Sequence, residues 1–293
     1  MCTTANSTPT DSAIGLIAGW GRYPLVLAHV LRSQHRRIVC LGVKDHADPS
    51  LRSLSDVYAE FGLGRLGAAL RFCRRGGVTT ATMAGKIHKT LLFQRHFWWK
   101  HLPDWRCVRT FFPHFVTRRC DRKDDTLLGA IVAAFAEDGI TMVPATDFLP
   151  EALAKQGVLT RRQPSWAERQ DMAFGWELAK EMGRLDIGQS VAVKGQAVLA
   201  VEAIEGTDEC IRRAGMLCTA GGFTVVKVAK PRQDMRFDVP TVGMGTVQSM
   251  VQAGARSLAI EAGKTILIDE PEVIAYANRH NLTIVAMKQP HPA

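Results

Sequence analysis

Between Arg184 and Gly243 the chain sets acids, lysines, glycines and prolines at the ends of apolar runs. Glu202, Glu205 and Asp208 lie close together, and Lys227, Lys230 and Asp238 follow in the same segment. Carboxylates hold divalent cations or orient water, ammonium groups neutralise phosphate oxygens, and a helix start offers free amides, so the combination suits phosphate chemistry. Glu205-Gly206-Thr207-Asp208 stands between an apolar strand and a helical stretch ending near Leu217. Thr207 or Asp208 reads as the N-cap there, and the same amides would receive a phosphate with Glu205 or Asp208 holding a metal ion beside it. Strand alternation sends Glu202 and Glu205 to opposite faces, which favours Asp208 over either. Lys227 and Lys230 close the apolar run 223 to 229, and Pro231 bars its continuation. Solvated surface lysines are the plain alternative, but two beside an acid-rich segment would neutralise a pyrophosphate. Asp238 sits between Phe237 and Val239-Pro240. It reads as a metal ligand or a base that orients water, against a turn aspartate bonded to its own backbone.

A second group lies near the N-terminus. Gly15-Leu16-Ile17-Ala18-Gly19-Trp20-Gly21 is a strand running into a GxG turn ahead of a helix, the arrangement that brings backbone amides to a diphosphate. The third glycine of a dinucleotide fingerprint is missing, and no acid is clearly placed for a ribose beyond Asp45 and Asp48, so a ligand-free tight turn stands beside the nucleotide reading. Asp124-Asp125 precede a helix as cap and first-turn acid, or contribute to a site across from the first domain. His101, Cys107, His114 and Cys120 invite a zinc reading, but their spacings fit no standard site.

The elements that carry these groups alternate. Residues 13–18, 38–43, 57–61, 78–84 and 140–143 read as strands, with helices at 24–32, 64–75 and 126–137, the rhythm of a Rossmann-like parallel sheet. After a polar connection, Ser165-Trp166-Ala167-Glu168 is a capping box that opens a helix to about Met182, with Gly183 as its C-terminal cap. Strands follow at 190–193, 197–203 and 223–229, a helix at 246–253, and strands at 258–261, 265–268 and 283–287. Asp269, with Pro271 and Glu272 behind it, is expected to cap the last helix. The fold class is α/β in two domains. The expected division is a polar tail at 1–12, a Rossmann-like domain at 13–148, a linker at 149–164, and a mixed-sheet catalytic domain at 165–293.

At 293 residues, 46% hydrophobic and 22% charged, the chain has the composition of a globular protein large enough for two cores. No apolar run approaches a membrane span, and the polar first twelve residues lack the form of a signal peptide. Seven scattered cysteines without CxxC spacing indicate reduced thiols in a cytoplasmic protein.

Residues 86–123 break the rhythm. They hold ten Lys/Arg against two acids, a surplus of eight in a chain of formal net charge +9, so the basic excess is local. They also hold eight of the 21 aromatic residues. Three readings follow: a packed amphipathic excursion, contact with an anionic membrane surface, and a nucleic-acid-binding module.

Six segments, in order along nearly the whole chain, carry a resemblance: Gly15-Leu-Ile-Ala-Gly19, Asp124-Asp-Thr-Leu-Leu128, Gly183-Arg-Leu-Asp-Ile-Gly-Gln189, Ala200-Val-Glu-Ala-Ile-Glu-Gly-Thr-Asp208, Lys227-Val-Ala-Lys-Pro231 and Asp238-Val-Pro-Thr-Val-Gly243. Together they resemble the UDP-2,3-diacylglucosamine pyrophosphatase family of the LpxI type. The resemblance implies hydrolysis of the substrate pyrophosphate by water attacking the α phosphorus, with Mg²⁺ or another divalent cation. The implied products are UMP and 2,3-diacylglucosamine 1-phosphate (lipid X), an intermediate of lipid A synthesis. It implies two α/β domains closing around the glycolipid, a homodimer, no nucleic-acid partner, and a cytoplasmic protein peripheral to the inner membrane. The family's essential aspartate falls on Asp238. Asp208, Lys227 and Lys230 join it as expected catalytic residues, Asp238 and Asp208 as expected metal ligands, and Gly19, Gly21, Thr207, Gln189 and Asp125 as expected substrate contacts. The 86–123 stretch departs from the family in its wealth of aromatic and basic residues. A dinucleotide-dependent oxidoreductase is the alternative enzyme.

Overall fold

A computed structural model describes residues 12–87, 101–115, 124–231 and 233–289, with the backbone alone for residues 113–115 and 124–125. The chain divides into two compact units, one of residues 1–149 with 235–237, the other of 150–234 with 238–293.

In the first unit, β1 (Ala13–Ala18), β2 (Ile38–Val43), β3 (Val57–Phe61), β4 (Val78–Ala84) and β5 (Thr141–Met142) form one sheet in the order β3-β2-β1-β4-β5. Every pairing in it is parallel, with Ile14 beside Ile38 and Ala18 beside Ala84. All six residues of β2 are buried, as a strand covered on both faces must be. The connections are helical: α1 (Tyr23–Ser33), α2 (Leu51–Leu54), α3 (Leu66–Arg75), α4 (Trp105–Phe115) and α5 (Asp124–Glu137). Leu70 and Cys73 of α3 and Phe135 of α5 meet Leu41, Val78 and Met142 of the sheet in one core. This is the expected Rossmann-like sheet.

The second unit opens with β6 (Gly157–Val158) and α6 (Trp166–Arg184). There follow β7 (Ser190–Lys194), β8 (Ala197–Val201), α7 (Thr207–Leu217), β9 (Phe223–Lys227), β10 (Thr241–Val242), α8 (Met244–Ala253), β11 (Ala255–Glu261), β12 (Ile266–Leu267), α9 (Glu270–Arg279) and β13 (Thr283–Met287). Six of the strands make a mixed sheet in the order β6-β13-β11-β9-β7-β8, parallel from β13 through β9 and antiparallel at both margins. Strands β10 and β12 pair separately.

Period-two alternation sorts the sheet's residues between two cores. Val191, Val193, Val226, Ala259 and Val285 face Met172, Trp176 and Ala179 of α6. Ala192, Val225, Leu258, Ile260 and Ile284 face Cys210 and Ile211 of α7, Met250 of α8 and Val273 of α9.

Three expected helix ends differ. Helix α6 begins with the full capping box at Ser165 and Glu168 but runs through Gly183 to Arg184, with Leu185 as its cap. A Cβ on Gly183 would sit 3.1 Å from the Lys230 backbone, so that glycine serves close packing instead. Helix α7 is preceded by Gly206 at φ +87°, which places Thr207 and Asp208 inside the first turn and not at its cap. Asp269 precedes α9 at φ +51° and makes no capping bond, because a left-handed residue lacks the extended backbone from which a cap reaches back. In the zinc-like series, His101 Nδ1 accepts a bond from the Leu63 amide and Cys107 is buried as a free thiol. Cys120 lies outside the described residues, as does the side chain of His114.

Candidate active site

The second sheet brings its chemistry to one margin. Register sets Ser190, at the start of β7, beside Lys227, at the end of β9, and Val191 beside Val201, at the end of β8. Glu202, one residue past β8, donates its amide to the Ser190 carbonyl at 2.9 Å. The carboxyl end of a parallel strand is where α/β sheets place ligands, and β9 ends there on its lysine. Strand β8 stops at Val201, so the alternation argument that set Glu202 apart from Glu205 does not apply to either residue. The turn after β8 carries the chain into α7, and Thr207 comes down over the sheet margin.

A buried polar chain results. Lys227, 2% exposed, donates to Thr207 Oγ1 at 2.9 Å and to the Thr241 carbonyl at 3.0 Å. Thr207 Oγ1 donates to Glu202 Oε1 at 3.0 Å and lies 3.2 Å from Ser190 Oγ. The second oxygen of Glu202 is buried with no hydrogen-bond partner among the described residues. The nearby thiol of Cys210 is pushed up to about 11, chiefly by burial and further by the charge of Glu202, which leaves it protonated and unsuited to nucleophilic attack.

Beside it lies a charge cluster. Lys230 Nζ bonds Asp186 Oδ1 at 2.5 Å and stands 3.9 Å from Asp238 Oδ2. The Lys230 side chain is 10% exposed and that of Asp238 32%, so the ammonium is shielded while the carboxylate reaches solvent. Gln233 Oε1 accepts the Lys230 amide at 2.7 Å, and its Nε2 is buried without a partner among the described residues. The Gln189 carbonyl accepts the Val228 amide, and its Oε1 is likewise buried and unmet. Asp208 Oδ1 accepts from Thr246 Oγ1 at 3.0 Å, tying the first turn of α7 to that of α8. A carboxylate between two helix N-termini is favourably placed against both dipoles.

The segment therefore gathers Asp238 with Lys230, and Thr207 with Lys227, while Asp208 joins a helix pair. Sequence reasoning passes over Asp186, and it weighs Glu202 but favours Asp208 over it. Asp186 lies within the quoted stretch 183–189, but nothing in its spacing reveals that its φ of +59° turns it toward Lys230. Among the described residues, no three or more His, Cys, Asp or Glu side chains gather as a metal cluster.

The first unit holds the remaining candidates. A Cβ on Gly19 would lie 2.7 Å from the Lys86 carbonyl, and Trp20 bridges Lys86, so close chain approach accounts for that glycine. Gly21 has φ +107° and open space around it. Helix α1 begins two residues later with Pro24 in its first turn and no side-chain cap. Asp125 lies in the first turn of α5, and its side chain is outside the described residues.

Residues 13–152 match the LpxI N-terminal domain and residues 155–285 the LpxI C-terminal domain. The chain is 31% identical over 283 residues to the UDP-2,3-diacylglucosamine pyrophosphatase LpxI of Caulobacter vibrioides, covering 94% of this chain and 97% of that one. Two consecutive domain matches and one end-to-end relative agree with the six segments in register, and the chain belongs to the LpxI family.

Proposed function

We propose that this protein hydrolyses the pyrophosphate of UDP-2,3-diacylglucosamine to UMP and 2,3-diacylglucosamine 1-phosphate, in lipid A biosynthesis. The observation that carries this reading is the end-to-end match to a relative of that name. The geometry at the β9 margin supports it: a shielded lysine and a solvent-reaching aspartate 3.9 Å apart are what a charged phosphoanhydride and an attacking water require. Water adds its oxygen to the α phosphorus, the bond from that phosphorus to the bridging oxygen breaks, and the bridging oxygen leaves with the sugar phosphate. Asp238 aligns the water or takes its proton, and Lys230 offsets charge on the departing phosphate.

Magnesium commonly takes one or two protein carboxylates and completes its shell with water and substrate phosphates, so the lack of a three-acid cluster among the described residues is compatible with it. Asp238 and Asp208 would hold the ion, which would supply charge neutralisation at the phosphate oxygens. The unpartnered Oε1 of Gln189 and Nε2 of Gln233 are further polar atoms for the substrate.

A diacylated substrate resides in a bilayer, and no helix among the described residues is long and apolar enough to cross one. The place of work proposed with this reading is the cytoplasmic surface of the inner membrane, where the diacylated substrate would be met. Helix α4 supports such contact: Trp105, 80% exposed, with Val108 and Phe112 forms an apolar stripe at helical spacing, and Arg109 is exposed beside it. The same reading makes the protein a homodimer, for which light scattering would give twice the chain mass.

Hydrolysis in ¹⁸O water tests the chemistry directly. Label in UMP is the expected result. Label in the sugar phosphate would place the attack on the other phosphorus, and intact substrate would remove the reading.

A further inference from the structure

We infer that Glu202 is a positioning residue, which acts through Thr207 and Lys227 to fix the Thr241 carbonyl and with it the segment that carries Asp238. The links are short and run in one direction. Lys227 can only donate, and it gives protons to Thr207 Oγ1 at 2.9 Å and to the Thr241 carbonyl at 3.0 Å. The Thr207 hydroxyl accepts from Lys227, which turns its own single proton toward Glu202 Oε1 at 3.0 Å. Thr241 follows Asp238 by three residues through Val239 and Pro240, and the Thr241 hydroxyl donates back to the Val239 carbonyl at 3.0 Å. On its far side the segment is held by pairing, with the Pro240 carbonyl accepting the Ile266 amide at 2.8 Å.

Two features separate Glu202 from a residue kept for packing. A hydroxyl that accepts from a lysine 2% exposed needs an acceptor for its own proton, and Glu202 Oε1 supplies that oxygen to Thr207. Glu202 is itself 8% exposed, and its second oxygen has no hydrogen-bond partner among the described residues. An apolar residue of similar volume would remove that burden, so the position retains an acid for the one bond it makes to Thr207.

The kinetic arm of the test rests on the pyrophosphatase reading, and a hydrogen-exchange arm does not. In the full chain, Glu202→Leu removes the acceptor, while Glu202→Gln keeps an oxygen for Thr207 to donate to. Loss of positioning at a reacting group costs up to about a hundredfold in rate. Glu202→Leu is therefore expected to lower kcat on UDP-2,3-diacylglucosamine by about ten- to a hundredfold with KM within about twofold, and Glu202→Gln to remain within about threefold of wild type. Amide exchange across residues 238–243 should quicken in Glu202→Leu and stay near wild type in Glu202→Gln, with β13 unchanged in both.

Equal kcat in the two variants, or unaltered exchange at 238–243 in Glu202→Leu, would overturn the relay. If Glu202→Leu does not fold, Thr207→Val and Thr207→Ser cut and restore the same link, and amide exchange across residues 238–243, quickened in the first and near wild type in the second, decides it. A wild-type protein inactive on this substrate would remove the pyrophosphatase reading and leave the exchange comparison to judge the relay.

Discussion

Lys230 stands against Asp186 and Asp238, and it lies nearer the first, in the loop after α6. Its bond to Asp186 is 2.5 Å and its approach to Asp238 is 3.9 Å, so Asp186 anchors the ammonium while Asp238 keeps a side chain turned partly to solvent. Removing a group that acts on charge in the transition state costs about a hundredfold or more, whereas loosening a neighbour that merely holds such a group costs less. Asp238→Ala is accordingly expected to lower kcat by about a hundredfold or more, and Asp186→Asn by about tenfold. Asparagine accepts the left-handed backbone at position 186 about as well as aspartate, so that substitution isolates the charge. Steady-state kinetics of both variants would check the ranking, and its inversion would make Asp186 the residue nearer the reacting atoms. Much of this cluster was legible: a lysine where a strand is stopped by proline, and an aspartate in a stiff apolar stretch. Asp186 was not, because it depends on a local left-handed turn, and Glu202 was ranked below Asp208 by an alternation argument that fails because its strand ends two residues earlier than the apolar run.

Among the helices, sequence signals held where a cap makes reciprocal bonds and failed where a lone acid was asked to do it. Ser165 Oγ accepts the Glu168 amide at 3.2 Å, and Glu168 Oε2 accepts the Ser165 amide at 2.7 Å, as the sequence pattern predicts. Asp269 and the Thr207-Asp208 pair offered the right residue type without the backbone geometry. Glu168 does more than cap, since Arg162 binds both its oxygens, at 2.8 and 3.0 Å. Burial alone would raise its carboxyl, but the bonds from Arg162 and Ser165 outweigh that and hold it below the ordinary glutamate value of 4.5. Glu261 behaves alike, its burial outweighed by bonds from Lys180, Lys264 and the Ala229 amide. A lowered folded-state pKa contributes stability that is complete above the unfolded value and is lost as pH falls through the folded one. Ser165→Ala should cost about 1 kcal/mol and lower the melting temperature by about 2 to 4 °C at neutral pH. Glu168→Gln should flatten the acid side of the stability curve from about pH 4.5 downward. Thermal melts across that range would read both effects, and an acid limb unchanged in Glu168→Gln would show that the Arg162 pair carries no linkage.

Across the whole chain, the sheets were the most legible feature. Strands β1, β2, β3, β4 and β13 occupy the residues their apolar runs mark out, and for β1, β2 and β13 the cause is burial along nearly their whole length, which leaves little freedom in where a strand begins and ends. Residues 86–123 were least legible, since mixed aromatic and basic residues serve a packed helix, a membrane surface or a nucleic acid equally well. Within that stretch, Cys107 of α4 is buried in the first core while Trp105, Val108 and Phe112 remain exposed, so the helix has an apolar face beyond the one its packing uses. The segment also carries a surplus of eight positive charges out of the chain's nine. An apolar stripe with Arg109 exposed beside it, on a helix of so basic a segment, suits the interfacial region of an anionic bilayer, where rings sit among headgroups and each basic residue contributes about 1 kcal/mol. Co-sedimentation with phosphatidylglycerol-containing vesicles is therefore expected, weakening as salt is raised. Arg109→Gln should reduce the partition coefficient about fivefold, the equivalent of about 1 kcal/mol, and Trp105→Ala should reduce it while leaving the salt dependence unchanged. Binding that ignores both substitutions would place membrane contact elsewhere on the chain, and tighter, equally salt-sensitive binding to an unrelated oligonucleotide would favour the nucleic-acid reading of the same residues.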